Sequence, residues 1–360
     1  MKVVFTLIFL FIIIALLVFA LPKIFGGVGS PTSLIGGEFG VFASVDNGIN
    51  WQEKIKIDEK KNIGRVEILD IVFDLSDDKT MWLGTNGNGL FKSDNSGETW
   101  QNIIDEAGIL DKRAVVYQIS IDPNNSDNIY LAVYQNNRGR VLKSVDNGKT
   151  FREVYIVQKD KLAVFSVKVD PYESRTVYIG TAEGGLFQSI DFAESWRLVR
   201  WLSGTVKDIV INPKNTREIY ITTFENGIFK TTDKGNTWQD LNEGLKSYSG
   251  AKKVKGLALD PNNQSVLYLA SDFGILKSAD GGITFNEVKL LIPPEDLPIN
   301  AIAVDTHNSN ILYTAANSAF YKSQDGGSHW TVKKIPTNNK IGIIAINPKD
   351  SGNIFMGIKK

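Results

Sequence analysis

Residues 44–51, SVDNGINW, return six more times: SDNSGETW at 93–100, SVDNGKTF at 144–151, SIDFAESW at 189–196, TTDKGNTW at 231–238, SADGGITF at 278–285 and SQDGGSHW at 323–330. The third position is Asp46, Asn95, Asp146, Asp191, Asp233, Asp280 and Asp325, at intervals of 49, 51, 45, 42, 47 and 45 residues. A period in this range marks a repeat architecture, in which each unit buries its faces only against its neighbours. The motif itself spells a tight turn. Ser or Thr leads in, the Asp side chain accepts backbone N–H bonds, and Gly tolerates positive φ. The closing Trp or Phe starts the next strand and fills space between sheets. Asn95 in place of Asp and Ala193 in place of Gly are the two departures from the pattern.

A second pattern precedes most copies. IDPNNSDNIYLAV, VDPYESRTVYIGT, INPKNTREIYITT, LDPNNQSVLYLAS and VDTHNSNILYTAA each read strand, turn, strand, with β-branched residues alternating around an Asn- or Pro-containing turn. A short strand such as GLFKS or GILKS then leads into the motif. One unit is therefore four strands, too few to bury both faces alone, and radial stacking of such sheets gives a propeller. The first motif lacks upstream strands, whereas IGIIAINPKDSGNIFMGIKK at 341–360 has inner strands but no following motif. Joined, they complete one blade. The sequence thus predicts an all-β fold, a seven-bladed β-propeller of four-stranded blades with N- to C-terminal ring closure, preceded by an N-terminal hydrophobic helix.

That helix is expected from Val3–Leu21, which is apolar apart from Thr6. Nineteen helical residues span roughly 28 Å, close to the hydrocarbon core of a bilayer. The segment is longer than the usual apolar run of a signal peptide. It reads as an uncleaved anchor with the chain outside the cytoplasm; Val18-Phe19-Ala20 offers the alternative of a cleavage site and a secreted product. The expected organisation is residues 1–25 as anchor or signal, 26–36 as a Gly/Ser-rich tether and 37–360 as the propeller. The protein would then be membrane-anchored and extracytoplasmic, at the cell surface or in the periplasm.

Composition excludes several function classes. Forty Lys+Arg balance 40 Asp+Glu for a net charge of zero, which offers no footprint for nucleic acid. There are no cysteines and only two histidines, His307 and His329, so disulfides, thiolate sites and a histidine cage are absent, and no metal or cofactor is expected.

The motif resembles the Asp-box, or BNR, repeat, S-x-D-x-G-x-T-W, over about residues 37–360. Among Asp-box propellers the single seven-bladed photosystem II assembly-factor-like group is the most similar in length and repeat count. Sortilin-type receptors share the motif on a ten-bladed ring, xyloglucanase-type glycoside hydrolases carry two tandem seven-bladed rings, and sialidases use six blades. The assembly-factor and sortilin resemblances imply a non-catalytic scaffold that binds a protein, peptide or glycan on one face. The xyloglucanase and sialidase resemblances imply the alternative, a glycoside hydrolase.

Two sets of candidate residues follow. Aligned on Asp74, Asp122, Asp170, Asn212, Asp260, Asp305 and Asn347, the inner strands place Asp70, Gln118, Ser166, Asp208, Gly256, Ala301 and Ile343 on the face toward the central channel. Asp70 and Asp208, three blades apart, are the carboxylates a hydrolase would use. A sialidase site would need an arginine cluster and an Arg-Ile-Pro signature, yet no arginine follows Arg217. For binding, Trp201 is the one tryptophan outside a repeat position. It is expected in a connection between blades beside Arg200, with Phe224 and Phe273 in the turns of the following blades and Tyr248 in the next connection. Together with Lys207, these would form one aromatic and basic sector.

Overall fold

The computed structural model describes residues 38–290 and 298–360. The expected N-terminal helix lies outside the described residues. Among the described residues, no helix is long and apolar enough to cross a membrane; the helical structure there is a single 3-10 turn at Asn242–Leu245.

Gly37–Lys360 form one compact unit in which the strands make seven four-stranded antiparallel sheets. The innermost strands are Ile68–Phe73, Val115–Ile121, Val164–Val169, Val206–Ile211, Val254–Leu259, Ala301–Val304 and Lys340–Ile346, which we take to begin blades one to seven. Blade seven is composite. Its two inner strands, Lys340–Ile346 and Ile354–Lys359, pair with Gly40–Ser44 and Gln52–Glu53 from the other end of the unit, with Phe42 opposite Met356. Closure in this way leaves no unpaired edge between the two ends of the ring.

The second strands, such as Met81–Thr85, Val177–Thr181 and Ile219–Thr223, are buried along their whole length. Apolar packing is divided into layers between neighbouring blades. Trp82 of blade one, for example, packs with Val116, Ile119 and Leu131 of blade two. The aromatic that repeats in the second strand has a further role. In five blades a lysine of the third strand lies over it, as Lys92 over Trp82 at 5.2 Å and Lys230 over Tyr220 at 5.0 Å. Several of these lysines also reach the motif turn of the next blade, Lys143 donating to the Phe192 carbonyl at 2.8 Å and Lys322 to that of Asn47 at 2.9 Å.

All seven motif turns share one hydrogen-bond pattern. The leading hydroxyl accepts from the backbone N–H four residues on, as Ser44 from Gly48 at 2.8 Å and Ser323 from Gly327 at 2.8 Å. The same hydroxyl donates to the motif carboxylate, at 2.7 Å for Ser144 to Asp146. Asp146 is held down to about 2 by bonds from the Thr150 side chain and backbone. The departures keep the turn. Asn95 accepts from Thr99 N at 2.9 Å, and Ala193 occupies the glycine position with φ of 69°.

Candidate functional site

The channel wall departs from simple strand alternation. In six innermost strands the register shifts by one residue near the start, between Ile68/Asp70, Val116/Gln118, Val164/Ser166, Val206/Asp208, Val254/Gly256 and Ile341/Ile343. Each shift is a β-bulge, which re-aims a side chain by inserting one unpaired residue. The apolar packing demands it: Val116 and Ile119 are three residues apart yet share one buried layer, as do Val206 and Ile209. A strict period of two would put them on opposite faces. The inserted residues, Leu69, Tyr117, Phe165, Lys207, Lys255 and Gly342, line the central cavity with Asn300 at the equivalent place in blade six. Strand alternation alone assigned these positions to the other face, so the sequence reading missed all but Lys207.

This cavity has a volume of about 300 Å³. Of the residues expected on the channel face, Asp70, Gln118, Asp208, Gly256, Ala301 and Ile343 line it, whereas Ser166 is fully buried. The carboxylates are tied into the wall. Asp70 accepts from Ile71 N at 3.0 Å and, across the blade boundary, from Ile119 N at 2.7 Å. Gln118 repeats that bond to the next blade, accepting from Val167 N at 2.8 Å, and donates to Asp208 at 2.9 Å. Asp208 also accepts from Ile209 N at 2.8 Å. Burial pushes the Asp70 carboxyl up to about 6, and Asp208 adds to the rise while Lys168 opposes it.

The mouth of the cavity carries two further features. Tyr117, Phe165 and Phe224 form an aromatic run, with ring centroids 4.7 Å and 5.2 Å apart in sequence along it. Lys207 continues the run, its ammonium 5.9 Å from the Phe224 ring. Its Nζ donates to the Val254 carbonyl at 3.0 Å and to the Lys255 carbonyl. Lys255 and Lys359 line the same cavity. Lys359 enters from the second strand of blade seven across the bulge at Gly342, where a Cβ would collide with its methylenes. Enclosure pulls the Lys207 ammonium down to about 7, and the Lys359 charge lowers it further against Asp208. Burial likewise lowers Lys359.

The other predicted residues separate into distinct contacts. Trp201 does not lie in a connection but ends the outermost strand Arg197–Trp201, paired with Gly185 and set edge-on to Phe187 at 6.1 Å. Strand pairing extends further than the turn-like sequence after it suggested, and leaves the indole 55% exposed. Arg200 lies over Phe229 at 5.9 Å. Tyr248 packs on Phe273 at 5.0 Å and donates to the Phe285 carbonyl at 2.7 Å, which ties the pair into the layer around Leu269. Phe224 alone of the four aromatics reaches the aromatic run at the channel mouth, through Phe165.

No family model matches the chain. A xyloglucanase of Paenibacillus sp is 27% identical over 143 residues, 36% of this chain and 14% of the relative. Xyloglucanase Xgh74A of Acetivibrio thermocellus is 28% identical over 149 residues, 36% of this chain and 17% of the relative. The aligned part is thus less than a fifth of the length of either relative. Among solved structures, the GH74 xyloglucanase from Xanthomonas campestris superposes with a TM-score of 0.67 at 17% identity, covering 81% of this chain and 51% of that one. YCF48 bound to D1 peptide gives 0.63 at 16% identity, covering 82% of this chain and 94% of that one. YCF48 from Cyanidioschyzon merolae gives 0.64 at 14% identity, with 81% and 95% covered. By fold, the chain stands with the seven-bladed β-propellers that include GH74 xyloglucanases and YCF48.

Proposed function

We propose that the chain is a non-catalytic scaffold that binds a protein or peptide segment at the channel mouth, held outside the cytoplasm by its N-terminal apolar segment. One observation carries this reading. The two carboxylates that a hydrolase would use are tied into the wall: Asp70 accepts backbone N–H bonds on both oxygens and joins blade one to blade two, and Asp208 accepts on Oδ1 from Ile209 N and the Gln118 amide. The mouth around them offers instead the Tyr117–Phe165–Phe224 run and lysines, groups that hold a ligand without reacting with it. The likeness to YCF48, solved with a peptide, supports the same reading over 82% of this chain and 94% of that one. Calorimetric titration of peptide pools against wild-type chain and Phe224→Ala tests it; loss of binding in the variant is expected, and equal binding by both would remove this face from consideration.

A glycoside hydrolase is the second reading, supported by the xyloglucanase relatives and by one physical feature: a carboxyl raised to about 6 lies in the range of a general acid. Release of reducing sugar from xyloglucan that disappears in both Asp70→Asn and Asp208→Asn would favour it. The membrane tether rests on the sequence of Val3–Leu21. Protease added to intact cells should digest the propeller while an alkaline wash leaves the N-terminal fragment in the membrane; a soluble product starting near Leu21 would identify a signal peptide instead.

A further inference from the structure

We propose that the channel mouth is an oxyanion site, in which Lys207, Lys255 and Lys359 together hold one carboxylate, sulfate or phosphate group. The inference rests on the binding reading above, but its probe is a bare anion, so the two can fail separately.

The argument starts from geometry. Three lysines of blades four, five and seven converge on one cavity of about 300 Å³, which is too small to separate their charges widely. Lys255 is paired with Asp272 at 2.9 Å. Lys207 and Lys359 make no salt bridge among the described residues. An ammonium has three donors; two of those on Lys207 meet the carbonyls of Val254 and Lys255, which leaves one. Those carbonyls also fix the ammonium in place, so its remaining donor is pre-aimed rather than free to swing away. The glycine at 342 serves the same end, since any side chain there would displace Lys359.

The groups facing Lys207 from the neighbouring strands are Asp70 of blade one, Lys168 of blade three, Asp208 on its own strand, Lys255 of blade five and Lys359 of blade seven. Asp272 offsets Lys255 and Glu67 faces Lys359 from outside the cavity, and both lining carboxylates already accept hydrogen bonds from the wall, so Lys207 has no carboxylate in salt-bridge contact and meets the repulsion of Lys359 and Lys255 in a partly desolvated space. An anion relieves that repulsion and is bound by charge-assisted hydrogen bonds. It also restores the Lys207 ammonium. Below pH 7 this lysine is already protonated in the empty channel, and no proton accompanies the anion. Above pH 7 a proton must be taken up, so affinity falls as the solution becomes more alkaline.

The test uses the full chain in a non-ionic detergent, with sulfate as probe because its own charge is constant in this range. Calorimetry from about pH 6.5 to about pH 8.5, in two buffers of different ionisation enthalpy, should give one sulfate per chain. Proton uptake should appear above about pH 7 and affinity should fall several-fold across the alkaline half of the range. Lys207→Met with Lys359→Met should weaken sulfate at least about tenfold while melting no lower than wild type, since the change removes mutually repelling charges. Lys359→Met alone, a milder change, should weaken sulfate and move the onset of proton uptake to higher pH. A hexaglutamate peptide is the second arm. Tighter binding of the peptide than of sulfate, with displacement by sulfate, would assign the anion to a peptide ligand; sulfate binding with no competition would assign it to a free ion. Failure of both probes to bind wild type, or binding that neither variant changes, would overturn the site. A peptide ligand that binds independently of sulfate would leave the scaffold reading standing and sink this one.

Discussion

Replacing Asp70 by Asn separates a structural carboxylate from a working one. The side chain is enclosed by the channel wall, and its pKa lies at about 6 instead of the ordinary 3.8, chiefly because burial penalises the charged form. A folded-state value raised by that much corresponds to about 3 kcal/mol of stability that is present below about pH 3.8 and lost as pH rises through about 6. At neutral pH the wild-type ring therefore carries the full penalty. Asn removes the charge and keeps one oxygen for Ile119 N, the shorter bond at 2.7 Å, while giving up the bond from Ile71 N at 3.0 Å. That loss costs about 1 kcal/mol. The variant should accordingly be more stable than wild type by about 2 kcal/mol near pH 7.5, and the advantage should vanish or reverse near pH 4. Urea unfolding at the two pH values, followed by tryptophan fluorescence, gives the difference directly through the midpoints. A variant that is less stable at both, by the same margin, would mean that the loss does not depend on ionisation and comes from the missing hydrogen bond. The burial argument would then be wrong, and the raised carboxyl that supports a general acid would go with it.

Three further outcomes are expected. Phe192, with φ of 63°, and Ala193 occupy left-handed positions that the other motif turns give mostly to Asn, Ser, Lys or Gly; Phe192→Asn should raise stability by about 0.5–1 kcal/mol in thermal melts, and a loss would show that the Lys143–Phe192 contact outweighs the backbone strain. Gly180→Ala would press a methyl into Val206, the first buried residue of the next blade, and should cost about 1–3 kcal/mol in urea unfolding, against no loss if blades three and four can part slightly. Trp201→Ala should change the melting temperature little, because its indole is largely exposed, while costing a ligand about 2 kcal/mol or more if the indole anchors it. Early melting with unchanged affinity would place Trp201 in the packing instead.

What the sequence makes legible, and what it hides, divides along the range of the interaction. Motif turns are closed within seven residues: the Ser44 hydroxyl, the Asp46 carboxylate and the backbone of Gly48 and Asn50 find each other locally. Their number and spacing could therefore be read directly, and with them the blade count and the composite seventh blade. The channel is a different matter. Its wall is decided by how Val116, Val164 or Val206 seats against the neighbouring blade, and a bulge follows wherever two apolar residues three apart must enter one layer. That spacing was present in the sequence as a conflict with strand alternation, and it is the signal that would have found Tyr117, Phe165 and Lys255. Lys359 carried no such signal. It belongs to a second strand, where alternation gives only a face, and it reaches the cavity because Gly342 lies beneath it in another strand. The aromatic sector around Trp201 erred for the same reason: Tyr248 and Phe273 satisfy each other and the Phe285 carbonyl, partners brought together only by the packing of blade five. Local chemistry thus builds each blade, whereas the chemistry of the mouth is a property of six bulges facing one another around the channel, so substitutions at the bulge positions should alter binding with far less effect on folding than substitutions in the motif turns.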